Sequence, residues 1–167
     1  MSASLKGPSM VIAPEEGEAY WQPKPSTGFI MAKITPDNSP YDDFSCGIQV
    51  LEPGAAVREH GHRQSHEMIF VYEGFGHCMI DGERHEIVPG TTLMLGRRVM
   101  HSIHNDGESQ MKMHWVMFPP GLEDWFRAIG RKREPGDDDA PVFERPTDVK
   151  HIQDRMRFMR PEDVEAG

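Results

Sequence analysis

Short apolar stretches broken by turn residues dominate the middle of the chain. They predict strands at Phe29–Ile34, Phe44–Leu51, Val57–His62, Glu67–Tyr72, His77–Ile80, Arg84–Val88, Thr92–Leu95, Val99–His104 and Met111–Phe118. Pro53-Gly54, Glu73-Gly74, Asp81-Gly82, Pro89-Gly90 and Asn105-Asp106-Gly107 punctuate them, and Asp81-Gly82 is a two-residue hairpin signal. Side chains alternate along a strand, so Glu67, Ile69 and Val71 share one face and Met68 and Phe70 the other. Many short strands at this spacing predict an antiparallel sandwich or barrel. After Pro119-Pro120-Gly121 the period changes. Leu122, Trp125, Phe126 and Ile129 form one stripe of a short helix that Gly130 ends. Thr147 can cap a second helix carrying Val149, Ile152, Met156 and Met159. Residues 1–28, rich in Pro, Gly, Ser and Glu, read as an arm anchored by Tyr20 and Trp21; residues 131–146 read as a charged loop. The organisation is thus an arm (1–28), one barrel (29–120) and a helical or irregular extension (121–167).

Composition narrows the function classes. With 167 residues and 37% hydrophobic content, one domain with a real core is expected. A formal net charge of -9 argues against nucleic acid as a partner. No apolar run has the length of a membrane span, and the first residues lack a signal-peptide stretch, so a cytoplasmic location is expected. Cys46 and Cys78 lie in apolar strand context outside any CxxC pattern and read as buried free thiols. The 12 methionines read as adaptable core filling or as the soft lining of a pocket.

The chemistry concentrates in four residues. His60 and His62 point to one face of a strand, Glu67 opens the next strand, and His101 comes from a distant one. Three imidazoles and a carboxylate suit one divalent transition metal with positions left open: Fe(II) by preference, or Mn, Ni, Co or Zn. Glu67 is expected as ligand and as a possible general base. His66 is out of phase with Glu67. His77, His85, His104 and His151 read as structural or exposed. Arg58 shares strand parity with His60 if no bulge intervenes, and could pair a substrate carboxylate. His114 is a candidate partner behind the ligands or an acid–base group.

The spacing Gly54-x5-His60-x-His62-x4-Glu67-x6-Gly74 resembles the first motif of the cupin superfamily. Gly90-x5-Gly96-x-Arg98-x2-His101-x3-Asn105 resembles the second, with Gly96 where the family usually has proline and Arg98 where it usually has glycine. The segment from Pro119 to Gly130 is similar to the helical tail of small quercetin-dioxygenase-like cupins. The resemblance implies an all-β double-stranded β-helix, a jelly-roll barrel, with His60, His62, Glu67 and His101 on one metal inside it. It also implies a homodimer. The expected activity is a dioxygenase acting on a small enolic or phenolic substrate. A redox-neutral lyase, isomerase or decarboxylase at the same site is the alternative, and a non-catalytic small-molecule-binding barrel is the third reading.

Overall fold

The computed structural model describes residues 7–155 and 158–164. Twelve strands and three short helices follow one another among them. The strands are β1 (Glu18–Trp21), β2 (Gly28–Ile34), β3 (Ser45–Leu51), β4 (Ala56–His62), β5 (His66–Glu73), β6 (Gly76–Ile80), β7 (Glu83–Ile87), β8 (Thr92–Leu95), β9 (His101–Asn105), β10 (Met111–Phe118), β11 (Arg131–Arg133) and β12 (Phe158–Met159). The helices are α1 (Leu122–Ile129), α2 (Lys150–Arg155) and α3 (Pro161–Val164). None of the described helices is long and apolar enough to cross a membrane.

Two antiparallel sheets form the jelly roll. One runs β11-β1-β2-β3-β10-β5-β8 and the other β12-β4-β9-β6-β7. Alternation decides what lies between them. Ile69, Val71, Trp115, Met113 and Leu95 from the first sheet join Cys78, Ile87 and Ile103 from the second in one buried cluster. Each such side chain contributes roughly 1.5–3 kcal/mol when fully withdrawn from water. Met111, Met113 and Met117 are core filling, and both cysteines are buried and free. The stripe predicted on α1 is real: Leu122, Trp125, Phe126 and Ile129 are all buried in the same cluster.

Several expected boundaries shift. The arm contains a strand, because Tyr20 and Trp21 pair with Ile30 and Phe29 of β2. Part of the predicted loop after α1 is β11, paired with β1. Its Arg133 guanidinium lies 4.3 Å from the Phe29 ring centroid and 5.3 Å from that of Trp21, so cation–π contact holds the two segments together. The second helix begins at Lys150, three residues beyond Thr147. Met159 leaves the helical stripe altogether and pairs with Gly61 in β12. Met156 lies outside the described residues.

Candidate metal centre

Three strands bring the four predicted ligands together. Strand β4 carries His60 and His62, and His60 stands directly opposite His101 of the neighbouring β9. Glu67 faces inward from β5 in the other sheet, opposite Met117 of β10. The four offer one ligand atom each, all within 4.8 Å of one another. Gly61, between the two histidines, is a close-approach position. A Cβ there would sit 3.0 Å from the Val99 carbonyl oxygen and 3.1 Å from the Met100 sulfur.

Hydrogen bonds orient the rings. Nδ1 of His60 donates to the Arg58 carbonyl at 2.8 Å, and Nδ1 of His101 donates to the Val99 carbonyl at 3.1 Å. A carbonyl only accepts, so in each neutral ring the hydrogen sits on Nδ1 and Nε2 keeps its lone pair. Nε2 of His62 lies 3.2 Å and Nε2 of His101 3.3 Å from the same Glu67 oxygen, Oε2. The His101 contact is misaligned for a hydrogen bond, and this Nε2 is buried without a hydrogen-bond partner. A lone pair facing a carboxylate oxygen is repulsive unless a cation stands between them. The donor set therefore fits a divalent metal ion, and the cluster can hold one.

The charge states agree with that fit. Burial holds the His60 imidazole well below its ordinary value, and His101 and His62 beside it add to the effect. Burial alone would raise the Glu67 carboxyl. Positive charge beside it, carried by His101 and His62 when they hold a second proton or by a metal ion in the same place, outweighs burial and keeps Glu67 well below the usual carboxylate range. His60 is thus neutral and Glu67 ionised, as ligation requires.

Against known proteins, residues 47–117 match the cupin domain family. The chain carries a cupin domain. Among curated relatives of the cupin domain, protein SchB of Streptomyces halstedii is 26% identical over 92 residues, 55% of this chain and 67% of that protein. The polyketide synthase CurC of Streptomyces cyaneus is 29% identical over 73 residues, 44% of this chain and 47% of its own length, so the match spans about half of that relative. In fold, the chain is similar to a predicted oxalate decarboxylase of Thermotoga maritima, with TM-score 0.57 and 19% identity, over 65% of this chain and 98% of that one. It is also similar to a sugar phosphate isomerase of the cupin superfamily from Silicibacter pomeroyi, with TM-score 0.56 and 19% identity, over 65% and 75% of the two chains.

The remaining candidates of the cupin domain fall out unevenly. His114 is not brought to the cluster. The phase of β10 sends Met113 and Trp115 inward, and His114 to the outer face opposite Phe70. Burial and the charge of Lys33 lower its imidazole there. His66 faces outward as expected, stacked on Phe118. His77 and His104, read as structural or exposed, stack on each other at 4.3 Å with His77 held by Asp106, because β6 and β9 bring them into register. Arg58 reaches the cavity by a route that parity did not predict. The pairing of β4 with β9 shifts between Val57 and His60, and this bulge leaves Arg58 and Glu59 at the cavity rim.

The cavity in front of the ligands measures about 390 Å³. Ile69, Ile103, Trp125, Phe126 and Phe158 supply its apolar wall. Among the described residues no methionine lines it, so the soft-pocket reading of the strand methionines fails. Phe158 also packs against the rings of His60 and His62 at 5.8 and 4.9 Å. Phe158, Arg145 and the buried amides of Gln22 and Gln49 escape sequence reasoning, because they lie outside the ligand motifs, in segments read as tail, loop, arm and a strand with no chemical motif. The Met156–Met159 end of the helical stripe carried the one available hint, an apolar tail that needed something to cover.

Proposed function

We propose that this chain is a metal-dependent enzyme acting on a small enolic or phenolic compound, with dioxygenase chemistry as the leading reading. One observation carries the proposal: imidazole lone pairs and a buried ionised carboxylate converge at the floor of a substrate-sized, apolar-walled cavity. His60, His62, Glu67 and His101 would hold the ion, with Fe(II) preferred and Mn, Ni, Co or Zn as alternatives. When bound, such an ion supplies Lewis acidity toward an enolic oxygen and, if redox-active, a means of using O₂. The chain's own residues do the rest. Trp125, Phe126 and Phe158 shield the cavity from water. Glu67 can accept a proton, although a carboxyl held this low is a weak base and suits ligation better.

Oxygen consumption tests the reading. Iron-loaded protein is expected to consume O₂ with at least one of a panel of flavonols, catechols and diketones; none with any of them opposes it. A redox-neutral lyase, isomerase or decarboxylase is the second reading. It is favoured by an ionised carboxylate that needs no oxidant to act, and it is the class to which two structural neighbours' names belong. Turnover that survives without O₂ and with Zn(II) selects it. Unchanged ligand affinity after Glu67→Gln, with no turnover anywhere, selects a binding barrel instead.

A homodimer is part of the proposal. Phe70, Tyr72 and Met94 are exposed on the outer face beside the edge strand β8, and a second copy is the partner proposed to cover them.

A further inference from the structure

Two guanidiniums face the cavity without an acidic partner. Arg145 contacts the Trp125 ring, its carbon 5.3 Å from the centroid, and its Nε is buried with no hydrogen-bond partner. Arg58 makes only a long 3.4 Å contact to the Lys24 carbonyl. Neither forms an ion pair among the described residues. The carboxylates nearby do not serve them: Glu67 is committed to the imidazoles, and Glu59 at the rim makes no ion pair with either. The third arginine of the wall, Arg160, is tied to Asp163. Arg58 and Arg145 both line the same cavity, and burial, together with the like charge of Arg58, pushes Arg145 down to about 10.

We propose that Arg58 and Arg145 form a clamp that selects an organic acid with a flat, unsaturated body, its carboxylate between the two guanidiniums and its body against Ile69, Trp125 and Phe158. The inference rests on the cavity being the substrate site proposed above, but not on the identity of the metal or the reaction. Two like charges held beside apolar surface are unfavourable until an anion joins them. A carboxylate matches the planar fork of a guanidinium, and two forks can serve both its oxygens. Three polar groups of the wall are already engaged. Gln49 donates to Gln22, Gln22 to the Val50 carbonyl, and Ser26 to the Ala56 carbonyl.

Titration calorimetry with salicylate, salicylamide and inorganic phosphate tests the clamp, on metal-free and zinc-loaded protein. Metal-free protein is expected to bind salicylate roughly ten- to a hundredfold more tightly than salicylamide, the range of a charge-assisted hydrogen bond. Arg145→Gln and Arg58→Gln should each erase most of that preference while zinc stoichiometry stays unchanged. Arg145→Lys, which keeps the charge but loses the fork, should retain part of it and guards against a folding defect. Equal affinity for acid and amide, no detectable binding of the acid, or a preference that survives both glutamine variants overturns the clamp. Tighter binding of phosphate than of salicylate overturns the carboxylate assignment. A protein that binds no zinc yet prefers the acid fails the metal reading alone; one that binds zinc without the preference fails the clamp alone.

Discussion

His101 makes no hydrogen bond through Nε2, and His60 is turned the same way by the carbonyl behind it. Removing a ligand should therefore cost more than the 10- to 100-fold typical of residues that only orient ligands. His101→Ala and Glu67→Gln are each expected to weaken zinc affinity more than about a hundredfold, measured by competition with a chelating dye. The same residues set a pH dependence in metal-free protein. Folded His60 is held well below its ordinary 6.5, whereas in the unfolded chain it titrates near that value. The unfolded state takes up the proton first, so the stability contribution is full above about pH 6.5 and is lost as pH falls below it, by at most about 1.4 kcal/mol per pH unit. Thermal melts of chelator-treated protein between pH 7.5 and 5.5 should show this loss, and His60→Asn should reduce it. Equal slopes in the two proteins would count against the half-buried imidazole being held neutral. Arg98 supplies a further test. It adopts φ 65°, the left-handed region, at the position where cupins usually have glycine, and its N–H donates to the His62 carbonyl at 2.8 Å. Arg98→Gly is expected to stabilise the chain by about 0.5–1 kcal/mol, read from denaturant midpoints.

At the scale of elements, the strands of the two motifs and the stripe of α1 were legible because alternation and the 3.6-residue period carry them directly. What was not legible depends on partners distant in sequence. The short strands β1, β11 and β12 have little periodicity of their own and exist because β2, β1 and β4 in turn offer them edges. The bulge in β4 breaks parity between Val57 and His60 and could not be read from residue types. Gly130 shows how a correct expectation can rest on another cause. It ends α1 with φ -84°, not in the left-handed region. The glycine is needed because a Cβ would lie 2.7 Å from the Phe126 carbonyl oxygen and 3.0 Å from that of Trp21. Gly130→Ala is expected to destabilise by about 1–3 kcal/mol through overpacking, measured by chemical denaturation.

For the whole molecule, the ligand set was legible because all four residues lie in two compact motifs. The cavity was not, because its far wall comes from the C-terminal extension folding back through Arg145 and Phe158. The outer face at β5 and β8 bears on assembly. Sedimentation at micromolar concentration is expected to give a dimer, and Phe70→Glu with Met94→Glu should shift it toward monomer. A wild-type monomer would remove that part of the account. The central claim is that the four side chains form one metal site, and the most direct measurement is metal content. Protein stripped with chelator, reloaded with Zn(II) or Fe(II) and desalted should carry about one ion per chain, and the Glu67→Gln and His101→Ala variants treated identically should carry almost none. Wild-type protein that retains no ion, or variants that retain as much as wild type, would contradict it.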